Sequence, residues 1–320
     1  MIFSRAICIT VFNNEKNILN TFPILLRQLG CKDCLVIVDG GSEDDTRLIL
    51  FKYKKEKNNL YFISKKCYRA EGRNIAIENA DSEIIVMTDI DCIPDKNWFK
   101  RITDPFKDKK IDVVAGFYKM TYTNKLQKAE SFFLGVLPKD FSDSFFPSTR
   151  SIAFRKSIWK RVGGFPEELK NAAEDTVFNY RLIKNNARFA RVKNAIVEWG
   201  MPETLGEYFK KIFTYSKSDV ETKIWFYPNN MLMSHNIRSL FVLLRYIVFF
   251  VILTLSFLKV VPFYYSFFIL FMYLIYIFMK LFRAFREVDT ALIGIPVQII
   301  TDFAVILGFI SGIINLINGL

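Results

Sequence analysis

Histidine is nearly absent, with a single one, His235, in 320 residues. That removes Ser-His-Asp and Cys-His hydrolase chemistry, which needs an imidazole beside its nucleophile. Cysteine is scarce too, at five. A disulfide scaffold is not expected at this size, and Cys31-x-x-Cys34, in a polar turn before an expected strand, lacks the further ligands of a zinc site. No G-x-x-x-x-G-K-S/T loop is present, which excludes a P-loop NTPase. Zinc-finger spacing, a helix-turn-helix pattern and RNA-binding aromatic motifs are also missing, so the net charge of +12 does not point to nucleic acid. No cleavable signal peptide is expected at the start. The first apolar run, Ala6 to Phe12, is short, leads straight into Asn13-Asn14-Glu15-Lys16, and reads as a buried strand.

What is present divides unevenly along the chain. Up to about Ala195, charged and apolar residues mix as in a soluble protein; beyond Arg238 come three long apolar blocks rich in Phe, Tyr, Ile and Leu. Lys210, Lys211, Lys217, Lys223 and Arg238 gather just before those blocks, which suits an anionic membrane surface. The expected organisation is an α/β domain over 1–204, a juxtamembrane amphipathic segment over 205–238, and an all-α transmembrane anchor of about three helices over 239–320.

In the first part, short β-branched runs alternate with helical patterns. Strands are expected at Ala6–Val11, Leu35–Val38, Leu60–Ile63 and Glu83–Thr88, with helices at Glu15–Leu29, Asp44–Lys55 and Gly72–Asn79. Such alternation predicts a largely parallel sheet covered by helices. Ligands of such sheets collect beyond the carboxyl ends of the strands. There the sequence is polar and acidic: Thr10-Val11-Phe12-Asn13-Asn14-Glu15, then Asp39-Gly40-Gly41-Ser42-Glu43-Asp44-Asp45-Thr46, then Asp89-Ile90-Asp91. Any one of these also serves as a capped turn. Three at corresponding strand ends predict one ligand crevice.

Asp89 and Asp91 are two residues apart, so an extended chain would turn both carboxylates to one side, where Mg²⁺ or Mn²⁺ could offset charge on a leaving phosphate. Gly72-Arg73 is expected at a helix start, with free N–H groups and a cation available to an anion. Glu174-Asp175 opens an amphipathic helix after the Gly163-Gly164-Phe165-Pro166-Glu167 turn, where a helix dipole favours negative charge. Because histidine is missing from this part, a base for an acceptor hydroxyl must be a carboxylate, and Asp175 is the candidate.

These segments, in this order, resemble the inverting family-2 glycosyltransferases of the GT-A fold, a Rossmann-like nucleotide-sugar-binding architecture, over nearly the whole first two hundred residues. The resemblance rests on Val36-Ile37-Val38-Asp39-Gly40-Gly41-Ser42-Glu43-Asp44-Asp45-Thr46, Gly72-Arg73-Asn74-Ile75-Ala76, Asp89-Ile90-Asp91, and Gly163-Gly164-Phe165 followed by Glu174-Asp175. It implies that Thr10, Phe12 and Glu15, with Asn13 beside them, line the nucleotide pocket. It further implies that Asp39 meets the base, Asp89 the ribose or metal and Asp91 the metal, that Asp175 is the catalytic base, and that Ser151 to Arg155 form the acceptor-side strand. Two departures stand out. Many relatives place a histidine near the metal where this chain has Val197-Glu198-Trp199, and the Q-x-x-R-W motif of processive synthases is replaced by Phe209-Lys210-Lys211-Ile212-Phe213. Single-sugar transfer is expected over polymerisation.

In the last part, Leu240–Leu258, Val260–Phe282 and Ala291–Leu316 each approach or exceed the ~20 residues needed to span a bilayer. Lys280, Arg283 and Arg286 lie between the second and third, so the positive-inside rule places the enzyme domain in the cytosol and the C-terminus outside. Leu205–Tyr215 has the spacing of a helix on a membrane surface or of an ordinary domain helix. Arg245 and Asp302, inside apolar blocks, call for each other or for a lipid phosphate. The expectation is an inverting, metal-dependent enzyme of the cell membrane, multi-pass, with a nucleotide-sugar donor and a lipid or polyprenyl-phosphate acceptor. The alternatives are a non-catalytic nucleotide-binding membrane scaffold or flippase partner, and a polysaccharide-elongating synthase.

Overall fold

The computed structural model describes residues 3–227 and 234–319. Residues 228–233, within the expected juxtamembrane segment, lie outside the described residues. The chain forms two compact units, one of residues 1–120 and 137–200, the other of residues 121–136 and 201–320.

The first unit is built on an eight-stranded sheet of order β3-β2-β1-β4-β7-β6-β8-β5. The strands are β1 (Phe3–Val11), β2 (Asp33–Asp39), β3 (Leu60–Ser64), β4 (Ser82–Met87), β5 (Cys92–Pro94), β6 (Val113–Thr121), β7 (Ile152–Arg155) and β8 (Phe189–Gly200). The first four pair in parallel, joined by α1 (Glu15–Gln28), α2 (Thr46–Glu56) and α3 (Arg69–Glu78). Every residue of β2 is buried, which is why Cys34–Val38 within it reads as an unbroken apolar run rather than an alternating one. The expected parallel sheet is half of the sheet observed. Beyond β4 the chain reverses: β7 runs antiparallel to β4 and β6, and β5 antiparallel to β8. The sheet is therefore mixed, and the second half brings its own side chains to the ends of the first.

α6 (Lys156–Arg161) and α7 (Glu174–Lys184) complete this unit with α4 (Trp98–Thr103). Phe154, Phe165 and Phe178 join Ile85, Val36 and Ala76 in one core, Phe165 stacking on Phe178 at 4.3 Å between ring centres. All five cysteines are free.

The second unit is helical. It holds α5 (Lys125–Leu134), α8 (Leu205–Glu221), α9 (His235–Phe257), α10 (Phe263–Phe285) and α11 (Val288–Ile317). The last three are long and apolar enough to cross a membrane. Composition alone did not reveal that residues 121–136 belong here. α5 reaches α11 through Lys128, which pairs with Glu287 at 2.6 Å, and through Lys125, which pairs with Asp289. Arg245 and Asp302 meet each other, at 2.8 Å.

Candidate active site

The loops after β1 and β2 are stitched into one rim. Asn13, at a positive φ of 49°, donates its N–H to Ser42 Oγ at 2.9 Å and accepts from the Glu43 N–H at 2.9 Å. The Asn14 N–H donates to Thr46 Oγ1, and Glu15 exchanges bonds with Asp44 and Asp45. Phe12 stands at the same rim with 57% of its surface exposed, an open apolar face at a strand end. Asp39 lies beneath, fully buried. Its carboxylate accepts from the N–H groups of Gly41 and Ser42 and from Ser64 Oγ, all at 3.1–3.3 Å, so it organises the turn.

Gly72 and Arg73 differ from expectation in one respect. α3 begins at Arg69, three residues before the expected start, and the Gly72 N–H already donates to Tyr68 O at 2.9 Å. The Gly72 amide is therefore not open to an anion. Gly72 is there for closeness instead: a Cβ at this position would lie 2.8 Å from Thr10 Cγ2, so only glycine lets α3 approach β1 this tightly. Arg73, 2% exposed, points inward and binds two carboxylates, Asp89 at 2.9 Å and Glu174 at shorter range. Arg69 lies 3.8 Å from the same Glu174.

The next residue completes the clamp. Asn74 donates to Phe165 O and Glu167 and accepts from the Phe165 N–H and from Trp159 Nε1. It thereby pins the turn containing Gly163 and Gly164, both at positive φ. Two adjacent side chains of α3 thus fix the approach to α7: Asn74 holds the turn before it and Arg73 holds Glu174 in its first turn. Ala173, which precedes that turn, has φ 67°, a left-handed conformation costly for a residue with a Cβ.

Asp175 projects beside this clamp, half-buried, accepting from Ser148 Oγ at 3.4 Å and from the Thr176 N–H at 2.9 Å. Burial, and next the charge of Glu174, push its carboxyl above the usual aspartate range, against the pull of Arg73 and Arg150. Asp89 goes the other way. Burial alone would raise it, but Arg73, then Arg150 and Arg69, hold it below that range. Neighbouring carboxyls pushed in opposite directions are how one site keeps one group ionised and another ready to take a proton.

Asp89 and Asp91 do not lie on an extended strand. The chain turns between them, the Cys92 N–H donating back to Asp89 O at 3.1 Å. Pairing of Cys92 with Trp199 across β5 and β8 brings the indole to Asp91, where Nε1 donates to Oδ2 at 3.3 Å. The indole N–H of Trp199 donates only, so this side chain cannot ligate a metal. Among the described residues no three His, Cys, Asp or Glu side chains form a metal cluster. Asp89, paired with Arg73, and Asp91, bonded by Trp199, are the carboxylates at this turn that a hard cation would use if it kept several waters and took its other ligands from substrate phosphates.

Sequence reasoning passed over Arg150 and Ser148. Arg150 stacks on Trp199 at 3.8 Å from the ring centre and donates to Ser148 Oγ at 3.0 Å, so it links the two halves of the site. Its only signal was a cation just before the expected acceptor-side strand. Of the predicted residues, Asn13 and Glu15 come together with the loop after Asp39, and Thr10 touches α3 at Gly72. Arg73, Asp89, Glu174 and Asp175 form the second group, with Asp91 held at Trp199.

Residues 6–163 match the family described as Glycosyl transferase family 2. The glycosyltransferase AglE of Haloferax volcanii is 23% identical over 76% of this chain and 79% of its own length. The O-antigen chain rhamnosyltransferase WbaN of Salmonella anatum is 31% identical over 60% of this chain, which spans 64% of that relative. A poly-beta-1,6-N-acetyl-D-glucosamine synthase of Staphylococcus epidermidis is 24% identical over 62% of this chain and half of its own length. Among solved structures, the mannosyltransferase of Pyrobaculum calidifontis, in complex with GDP-Man and Mn²⁺, superposes with a TM-score of 0.66 at 16% identity, covering 92% of this chain and 86% of that one. That likeness shows a shared fold.

Proposed function

We propose, on the match of residues 6–163 to the family 2 glycosyltransferases and on the shared GT-A fold, that the protein transfers a single sugar, with inversion, from a nucleotide-sugar to a lipid acceptor in a membrane. The observation that carries this reading is the place of Asp175, half-buried next to the Glu174 that Arg73 clamps together with Asp89. Among the described residues it is bonded only by Ser148 Oγ and the Thr176 N–H, and burial and Glu174 push its carboxyl above the usual range. The acceptor hydroxyl gives its proton to Asp175 as its oxygen attacks the anomeric carbon from the side opposite the diphosphate. The bond to the diphosphate breaks, the nucleoside diphosphate leaves, and the configuration inverts. A bare phosphate acceptor needs no such base, so Asp175 favours a lipid-linked acceptor that presents a hydroxyl.

The exposed Phe12 ring suits stacking on a nucleobase, and the stitched rim through Asn13 and Glu15 suits the rest of the nucleoside. Arg73 is a positioning residue, because its guanidinium is engaged by Asp89 and Glu174. Arg150, stacked on Trp199 beside Asp91, is the cation we assign to the donor diphosphate. Asp89 and Asp91 would hold Mg²⁺ or Mn²⁺, which supplies charge to offset the leaving diphosphate. With two protein ligands only, metal and donor should bind together. The lysines and arginines before and between the apolar helices favour a cytosolic catalytic unit at the cell membrane.

The test is a panel of nucleotide-sugars and lipid acceptors with Mg²⁺ or Mn²⁺ and detergent-solubilised protein. Expected are release of nucleoside diphosphate and an organic-extractable product bearing one sugar of inverted configuration. No release with any donor would sink the reading, and several sugars per acceptor would favour polysaccharide elongation.

A further inference from the structure

Three apolar helices suggest three crossings, but the packing inside the second unit opposes that count. α8 runs along α11 in the same direction. Tyr208 hydrogen-bonds Thr301, Ser216 Oγ donates to Val305 O at 2.8 Å, and Asn315 donates to Glu221 at 3.2 Å. Gly308 and Gly312 let the backbones meet: a Cβ on Gly312 would come 2.7 Å from Val220 Cβ and 2.8 Å from Lys217 O. The two helices are thus in contact from residue 301 to residue 315 of α11, about 21 Å. Over that length α8 carries Lys210, Lys211, Lys217, Asp219 and Glu221. Were α11 upright in a bilayer, these charges would travel with it through the hydrocarbon, where ionised side chains are costly and rare.

The other face of α11 is a single exposed apolar stripe of Leu292, Phe303, Leu307, Ile310, Ile314 and Ile317. Together, α8 and α11 make a two-helix layer, polar on one side and apolar on the other, which is the character of an element lying in a membrane interface. α9 and α10 are arranged to suit. α9 starts at the far end of this layer, where Asn236 donates to the Asp219 and Ile224 carbonyls, and α10 returns to its near end, where Leu281 packs on Gly294. Both reach Asp302 in the middle, through Arg245, Tyr246 and Tyr273. They then converge on each other at Ser256 and Ser266, 2.9 Å apart, and at Phe257 and Phe263. Two helices that come from opposite ends of α11, touch its midpoint and meet at their tips form a V whose apex leaves α11. The apex extends about 18 Å beyond Arg245, and its exposed surface is apolar apart from a few hydroxyl side chains and Lys259 in the turn at its tip.

We infer that α11 lies in the membrane plane, its stripe on the acyl chains and α8 on its aqueous side, and that only the α9–α10 hairpin enters deeply. The two ends of the chain are then on the same side of the membrane, not on opposite sides as three crossings require. The inference rests on the membrane reading above, and its tests separate the two.

Spin labels on cysteines placed at Leu292, Phe303 and Ile314, with Cys31→Ser removing the exposed native thiol, span about 33 Å of helix. In reconstituted full-length protein, three equal immersion depths are expected; a depth that peaks at Phe303 would overturn the inference. In a Gram-negative host, a fluorescent protein fused to the C-terminus should mature and an alkaline phosphatase fused there should stay inactive. An active phosphatase fusion would overturn the inference and leave the membrane reading standing. Recovery of the chain in the soluble fraction would overturn both.

Discussion

Each unit sets an aspartate against an arginine, and the two arrangements differ in what they leave unfinished. In the helical unit, Asp302 is complete. Oδ2 meets Arg245, Tyr246 and Tyr273, Oδ1 meets Gln298, and only 2% of the residue is exposed. In the sheet unit, Arg73 is shared by Asp89 and Glu174, while Asp175 beside them has one long bond from Ser148 and one from the Thr176 N–H. A carboxylate whose partners are all in place holds structure. One that is crowded by another carboxylate and only partly bonded is available for a proton.

The largest expected effect tests that availability. Asp175→Asn should lower kcat by about a thousandfold, the scale of a lost general base, while donor affinity measured by calorimetry changes little. An equal loss of donor binding would mean that Asp175 holds substrate, and the contrast with Asp302 would break. The pH dependence sharpens the same point. Turnover needs Asp175 ionised, and its carboxyl is raised, so activity should fall as pH drops through a value above the usual ~3.9 of aspartate, with the acid limb shifted toward neutrality. An acid limb at or below the ordinary value in a kcat profile would remove the reason for choosing this residue.

Next in size is the clamp. Arg73→Met leaves Glu174 buried without its main partner, so the catalytic unit should lose about 3 kcal/mol or more by thermal or denaturant unfolding. Glu174→Gln keeps the shape and a hydrogen-bond acceptor and should cost less. If the order reversed, Arg73 would be serving the donor rather than the fold.

Much of this was legible in sequence because strand ends announce themselves. β-branched runs stop at polar residues, and the polar loops after β1, β2 and β4 follow from where the apolar periodicity breaks. What was not legible depends on pairing between distant segments. That Trp199 would face Asp91 is fixed by the β5–β8 register, which no local pattern encodes. The inward aim of Arg73 follows from α3 starting at Arg69, and helix boundaries are weakly marked where Tyr68 replaces a capping side chain. Residues 121–136 read as an ordinary soluble segment, yet they belong with the apolar helices because Lys128 and Lys125 find acidic partners in Glu287 and Asp289, more than 150 residues later.

The smallest expected effect concerns Asp302, and its smallness is the informative part. Asp302→Leu alone should destabilise the helical unit, since Arg245, Tyr246 and Tyr273 lose a shared acceptor in apolar surroundings. The double change Arg245→Met with Asp302→Leu should recover the part of that loss that comes from the unpaired cation, because two apolar side chains can replace an ion pair at little net cost, and leave only what the Tyr246, Tyr273 and Gln298 side chains lose. Turnover should survive as well. A double variant that unfolds in detergent as early as the single one would show that the charges themselves fix how α9 and α10 meet α11. A double variant that is stable but inactive would move Asp302 from structure to chemistry and erase the difference between the two aspartates.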